Sequence, residues 1–388
     1  MAPRVFLGYG SEPKLSRESL HAAAAVLTNT GVVQATSWED LRVAGRVIIK
    51  TVLREIDSSN SCLFDLSTMN ENVLFELGYA IAKAKPVMLL LDQSDAHAKA
   101  IWKEFRLLKQ VGYTGWTNAD DIRKAYLAAA PHDAETTLYD DLIEPELETH
   151  AAGSIFFVPT YHATDAAKQI DRRLNQEIQR GIRLLSSDPT ESSLNTLGWY
   201  ANKAYETDCS IIHFESPRRE LASLHNPRSA LVAGIAVGME RPLLMIAEEE
   251  YSPPLDYEGL LRNYSSAREC SLIVDEWLRE QNLQPRSGSR TIRRRLTTEL
   301  RTLRFGEHVA ENEIDYLSEY FVETAGFEDV VASRDALFVG RKGTGKTANM
   351  LQAAARLSED ARNLVVVIKP ASYEFASLLA MLANVSVS

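Results

Sequence analysis

Two groups of residues in this 388-residue chain have types and spacings that could do chemistry. The first is a set of carboxylates. Glu76 sits between Phe75 and Leu77 in "DLSTMNENVLFELGYAIAKAKPVMLLLD" (65–92), Asp65 opens that stretch, and Asp40 closes "SWED" upstream. A carboxylate pressed against apolar side chains is desolvated, which tunes it for proton transfer or nucleophilic attack. At about 100° per residue, Glu76 falls with Asn72, Tyr79 and Lys83 on the more polar stripe of its helix. Periodicity alone therefore favours a solvated charge beside Lys83. The second group is Gly340-Arg341-Lys342-Gly343-Thr344-Gly345-Lys346-Thr347, which fits GxxxxGK[ST] between an apolar strand, "DALFVG", and a helix. In that context the glycines let backbone N–H groups wrap phosphates, Lys346 neutralises their charge and Thr347 can hold Mg²⁺.

The elements that must position the carboxylates alternate in the α/β manner. "RVFLGY", "VVQATSW", "SCLFDLS" and "KPVMLLLD" read as strands, separated by the helical stretches "RESLHAAAAVLTNTG", "GRVIIKTVLREIDSSN" and "NENVLFELGYAIAKA". Such alternation predicts a parallel sheet covered on both faces, with ligands bound beyond the carboxyl ends of the strands. Gly8, Tyr9, Gly10 and Ser11 follow the first strand, Trp38, Glu39 and Asp40 the second, and Asp65 to Asn72 the third, so all three segments are expected on one edge.

The chain also resembles itself. "SIFFVPTYHATDAAKQIDRRLNQEI" repeats the opening strand, loop and helix, "CSIIHFES" parallels "SCLFDLS", and "SALVAGIAVGMERPLLMIAEE" parallels "NVLFELGYAIAKAKPVMLLLD". Registered on Gly78 and Gly234, Glu76 falls opposite Val232, so the second copy is expected to keep the architecture and lack the acid. The boundaries read as a first copy over 1–130, a linker over 131–153, a second copy over 154–252, a helical and basic linker over 253–306, and a third region over 307–388. Only 41 residues follow Thr347, and none forms an apolar strand ending in Asp. The expectation is the start of a nucleotide-hydrolysing domain, either as a fragment or as a natural truncation, with weak ATP and Mg²⁺ binding and no hydrolysis.

Composition narrows the classes. The 45% apolar and 24% charged content is that of a folded globular protein. A net charge of -11 argues against a chain whose main business is wrapping nucleic acid. The arginine-dense stretch 286–304 reads as a solvated helix face, or as a contact for nucleic acid or an acidic partner protein. Three cysteines without a CxxC pair suggest neither a disulfide framework nor a zinc site. No run approaches the ~20 apolar residues of a membrane helix, so a reduced, cytoplasmic protein is expected.

"FLGYGSEP", "SWED" and "DLSTMNENVLFELGYAIAKAKPVMLL" together resemble the TIR-like and nucleoside 2-deoxyribosyltransferase-like proteins of bacteria, over about residues 4 to 92. "YFVETAGFEDVVASRDALFVGRKGTGKTA" resembles bacterial P-loop ATPases attached to sensor or effector domains. These resemblances imply an α/β chain of two tandem flavodoxin/TIR-like parallel-sheet domains followed by a partial P-loop α/β domain. They imply that Glu76 is the catalytic acid of an N-glycosidase and that NAD⁺ is the substrate. Asp40 and Asp65 are the candidates for a second acid, although Asp65 reads equally as a strand-end residue capping the Asn-rich loop. Gly8, Gly10 and Ser11 could hold phosphate or ribose through backbone donors. Tyr9 and Trp38 could stack on a base or be core-rim aromatics, and Asn70, Asn72 and Tyr79 complete the expected substrate set. Gly340, Gly343, Gly345, Lys346 and Thr347 are the expected NTP-binding residues. A homo-oligomeric effector of bacterial anti-phage defence is implied, because TIR-like sites are often completed by a neighbouring protomer. The alternatives are a non-catalytic nucleotide-sensing or oligomerising module, and a deoxyribosyltransferase or nucleoside hydrolase.

Overall fold

Short apolar runs joined by helices can close only as parallel strands with helical crossovers. The computed structural model has this form twice over. It describes residues 2–41, 48–143, 151–187, 195–251, 257–285, 317, 321–322, 325–332, 337–339, 344–360 and 362–365.

The first sheet comprises β1 (Arg4–Gly8), β2 (Gln34–Ser37), β3 (Ser61–Asp65), β4 (Val87–Asp92) and β5 (Thr114–Trp116), all parallel, in the order β2-β1-β3-β4-β5. The second comprises β6 (Ala151–Val158), β7 (Arg183–Ser186), β8 (Thr207–Phe214), β9 (Leu243–Glu248) and β10 (Leu261–Tyr264), in the order β10-β9-β8-β6-β7. Counted within each copy, both follow the doubly wound order 2-1-3-4-5.

Strand alternation divides each sheet into an outer and an inner face. On the outer face of the first, Val5, Leu7 and Leu63 pack on Leu20 and Leu27 of α1 (Lys14–Asn29) and on Ile122 of α5 (Ala119–Ala129). On the outer face of the second, Ile155, Phe157 and Ile211 pack on Ile170 of α7 (Asp165–Gln179) and Val274 of α10 (Ala267–Gln281). The inner faces share one core. Phe6 and Phe64 lie beneath α2 (Ile48–Ser58) and α3 (Glu71–Ala82), while Phe156 and Phe214 lie beneath α8 (Leu197–Glu206) and α9 (Ala222–Gly238), and the side chains of all these elements form a single cluster.

The seam between the copies is α3 against α9. Every residue from Val73 to Ile81 is buried, as expected of a helix enclosed on all sides. A Cβ on Gly78 would collide with the Leu231 carbonyl and stand 2.9 Å from the Ile235 amide nitrogen. A Cβ on Gly234 would collide with the Phe75 carbonyl and stand 3.0 Å from the Tyr79 nitrogen. In the duplicated register Leu231 and Ile235 are the counterparts of Phe75 and Tyr79, so the helices run parallel about a pseudo-two-fold axis. At the amino end of the seam, Tyr257 donates to Glu71 at 2.9 Å, Tyr251 also donates to Glu71, and the Tyr257 ring lies 5.3 Å from that of Phe75.

Three sequence expectations change. The two copies are not independent tandem domains: Met1–Leu296 is one compact unit and Thr297–Ser388 a second. The second copy does not end at 252, because β10 and α10, inside the expected linker 253–306, supply its fifth strand and an outer helix. In the third region the expected strand "DALFVG" is absent over its described residues 337–339, where Leu337 and Val339 are 88% and 85% exposed. A lone extended segment has no ladder to join, and among the described residues none pairs with it. Of "NLVVVIKP", residues 363–365 lie outside any strand, and the remainder lies outside the described residues. Among the described residues no helix is long and apolar enough to cross a membrane. All three cysteines are free and buried.

Candidate functional site

In the first sheet β1 pairs with β2 on one side and β3 on the other, so the chain leaves these strands in opposite directions and opens a crevice between them. Gly8, the last residue of β1, lies opposite Phe64 of β3. The β3–α3 loop returns over this point. Asn70 caps α3, its side chain accepting the amide N–H of Asn72 at 2.9 Å and of Val73 at 3.4 Å. Just before it, Met69 holds the left-handed φ of 48°, uncommon for a bulky residue. One turn into α3, Glu76 turns toward the strand ends and is 2% exposed. A Cβ on Gly8 would stand 2.7 Å from Glu76 Oε2 and 2.5 Å from Phe64 Cδ1. Gly8 is therefore required by close approach: the carboxylate occupies the space a side chain would take. Gly10 makes the next contact, its Cβ position lying 3.2 Å from Thr68 Oγ1 and 3.6 Å from Asn70 Nδ2. Glu76, Gly8, Gly10 and Asn70 thus meet, and the solvated-stripe reading of Glu76 does not hold.

The other expected residues are placed differently. Asp65 shares strand parity with Leu63, which packs on the outer face, whereas Phe64 and Glu76 belong to the inner side. Its carboxylate accepts from the Ser67 hydroxyl at 2.6 Å, and that hydroxyl accepts the Asp92 amide at 2.8 Å. This makes Asp65 a loop anchor. Asp40 accepts from the Ser37 amide at 2.9 Å and hydroxyl at 2.7 Å, bonds that outweigh partial burial and hold its carboxyl below the usual range. It caps the short turn Trp38–Asp40. Tyr9 is buried on the outer face and its hydroxyl pairs with His21 Nε2 at 2.5 Å; burial pushes the phenol up to about 12. Trp38 is exposed with its ring 6.4 Å from that of Tyr9, and Ser11 is exposed. Asn72 is half-buried with Oδ1 lacking a hydrogen-bond partner. Tyr79 does not reach the edge. Two turns from the start of α3, it donates to Asp57, which precedes the amino end of β3, at 3.0 Å.

Burial raises the Asp65 carboxyl to about 6, the Ser67 hydrogen bond opposing it. The folded chain therefore keeps this proton after the unfolded chain has lost it, so the group's stabilising contribution falls as pH rises from about 4 to about 6 and stays low above. A difference of that size corresponds to about 3 kcal/mol. In urea unfolding, Asp65→Asn is expected to gain stability relative to wild type between pH 4 and pH 7 by up to that amount. An unchanged difference across the range would contradict the buried, protonated Asp65.

The second copy has a polar edge that the register on glycines misses. Val232, opposite Glu76 in that register, is fully buried among apolar groups. A different acid stands at the β6/β8 switch point: Glu215, just after β8, accepts the His162 amide N–H at 2.7 Å and lies 2.9 Å from His162 Nδ1. Asn226 of α9 holds the backbone there, accepting the Glu215 amide at 2.8 Å and donating to its carbonyl at 2.9 Å. The second copy is thus not acid-less. The signal is Glu215 in "HFES", the first residue past a buried strand.

Of the phosphate-loop residues, Gly340 and Gly343 lie outside the described residues, as does the arginine-rich stretch 286–304. Gly345 adopts φ 78° and opens the helix Lys346–Ser358, with Asn349 Nδ2 donating to its carbonyl at 2.9 Å. A left-handed glycine before a helix that starts with Lys346 and Thr347 suits an anion at the helix N-terminus. Among the described residues no three His, Cys, Asp or Glu side chains group as metal ligands. A Mg²⁺ held by Thr347 and nucleotide phosphates needs no such group.

Fold and site define an α/β unit of two fused doubly wound sheets with a buried carboxylate at each switch point. No protein-family model matches the chain, and no solved structure matches it. A curated protein, the "Putative transposon gamma-delta 80.3 kDa protein" of Escherichia coli (strain K12), is 34% identical over 79 residues, which cover 20% of this chain and 11% of that protein. The chain thus matches about a tenth of that relative's length.

Proposed function

We propose that the chain is a nucleotide N-glycosidase that hydrolyses NAD⁺ to nicotinamide and ADP-ribose, with Glu76 as the catalytic carboxylate. The observation that supports this most is the burial of Glu76 at the β1/β3 switch point, against the backbone of Gly8. Departure of a base from C1′ leaves an oxocarbenium-like centre, which a carboxylate can stabilise or attack before water completes hydrolysis. In a poorly hydrated crevice that stabilisation is far larger than in water.

The placement of the other acids favours NAD⁺ within this class. Nicotinamide leaves as a neutral molecule from a cationic ring and needs no protonation, whereas a neutral purine or pyrimidine requires a general acid. Asp65 is tied to Ser67 on the opposite face and Asp40 to Ser37, so Glu76 acts alone among the three. Gly8 and Gly10 would offer backbone donors to ribose or phosphate, and Asn70 and Asn72 polar side chains. Substrate reaches Glu76 by parting the loops that meet at Gly10 and Thr68. The P-loop region would bind ATP with Mg²⁺ through Lys346 and Thr347 and couple this activity to an oligomeric antiviral assembly.

The test is chromatographic: the full chain is incubated separately with NAD⁺, ATP and deoxynucleosides. Nicotinamide release from NAD⁺ is expected. Consumption of deoxynucleosides alone would select a deoxyribosyltransferase or nucleoside hydrolase. Nucleotide binding without turnover at any protein concentration would select a sensing module.

A further inference from the structure

The carboxyl edge of the second sheet holds polar groups that the proposed reaction does not use. Glu215 is 1% exposed, and while its Oε1 faces His162, its Oε2 is buried without a hydrogen-bond partner. Beyond the end of β7, Asn195 is 4% exposed; its amide N–H donates to the Tyr200 hydroxyl, and its Oδ1 is buried without a hydrogen-bond partner. Arg228, from the second turn of α9, acts on the same Tyr200, and its Nε is also buried without a partner. His225 lies within electrostatic reach of Glu215, Arg228 and His162, which ties these groups to one locality. They come from the ends of β6, β7 and β8 and from α9, segments that converge at the switch point of a doubly wound sheet.

A buried polar atom without a partner costs about 1–3 kcal/mol. Three such atoms, one on each of three side chains at one edge, are a demand that a ligand can meet. The chemistry of the demand is specific. Glu215 Oε2 and Asn195 Oδ1 require donors, while Arg228 Nε requires an acceptor. A sugar hydroxyl supplies both, and guanidinium selects phosphate oxygens.

We propose that the second copy is a binding site for the ribose-phosphate portion of a nucleotide, with Glu215 and Asn195 holding the sugar hydroxyls and Arg228 the phosphate. Val232 stands at the position of Glu76, so this site lacks the helix-borne carboxylate of the first copy. The two copies thus carry unlike switch-point crevices within one compact unit, joined through the α3–α9 seam. This inference does not rest on the glycosidase reading.

The experiment is equilibrium dialysis of radiolabelled ADP-ribose against the full chain carrying Glu76→Gln, alone and combined with Glu215→Gln, Asn195→Ala or Arg228→Ala. Saturable binding is expected in the Glu76→Gln protein, with one equivalent weakened about tenfold or more by each added substitution. Arg228 is half-buried, and its truncation removes a donor while leaving the Glu215–His162 anchor in place, so it guards against misfolding of the other two. Equal binding in all four proteins overturns the proposal, as does an absence of saturable ADP-ribose binding in the Glu76→Gln chain. Loss of the equivalent in a chain that never turns over NAD⁺ would leave this site standing while removing the glycosidase reading.

Discussion

Glu76→Gln is expected to lower NAD⁺ turnover by on the order of 10²–10³-fold or more, the cost of removing one preorganised electrostatic group from a water-poor site. The amide is nearly isosteric with the acid, so packing against Gly8 and Phe64 is retained and the loss reports charge. Km is expected to change little, because the carboxylate interacts mainly with charge that develops at C1′ on the way to the transition state. Asp65→Asn is the matched control. It alters a buried carboxylate at the end of β3, on the outer face of the same sheet, and is expected to retain most of the activity. Comparable losses in the two variants would show that the edge as a whole, and not Glu76, sets the rate.

Gly78→Leu is expected to produce the largest loss of stability of any single change in the first unit. Even a Cβ at this position collides with the Leu231 carbonyl, and a helix carbonyl cannot move aside as a flexible side chain can. The seam must open, exposing Phe75, Leu231 and Ile235, each of whose burial is worth roughly 1.5–3 kcal/mol. A destabilisation of at least about 3 kcal/mol is expected, at the upper end of overpacking effects. The pseudo-symmetric change Gly234→Leu should behave alike because it meets the Phe75 carbonyl. Urea denaturation of the full chain measures both. If the two variants unfold at wild-type denaturant concentrations, α3 and α9 are not in close contact. The copies would then be separate domains, as the sequence alone suggests.

The parallel α/β form and the meeting of the first and third βα segments were legible because apolar runs of strand length alternate with helix-length segments, a pattern few topologies satisfy. Burial of Glu76 was not. A helical wheel weighs a residue by its neighbours on one face and assumes that the opposite face meets solvent. In α3 the face of Phe75, Gly78 and Ala82 meets α9, so the stripe of Asn72, Glu76 and Tyr79, polar by composition, is turned toward Gly8 and Asp57 and closed in there. The clue lay in "ALVAGIAVG" and "LGYAIA": two helices apolar all round, each with a glycine in register, are a pair built for close contact. Boundary errors have a related cause. β10, "LRNY", is short and polar because it lies at the sheet edge, so its pattern resembles a linker. Glu215 lies outside the register that aligns the second copy with the first. The β8–α9 loop is longer than the β3–α3 loop, and an acid carried there has no counterpart in the glycine register. The Asn-rich loop, by contrast, was legible, since Asn70 followed by an apolar run is a helix-start signal.

The central claim is that the anomeric carbon of a nucleotide is presented to Glu76. A crystal structure of the Glu76→Gln chain soaked with NAD⁺ tests it most directly. The account predicts the nicotinamide-side ribose between Gly8–Ser11 and Asn70, with C1′ within about 3.5 Å of the residue 76 side chain, the range of a near-attack geometry. Nucleotide bound with C1′ on the Asp65 face, or only in the second copy, would contradict it.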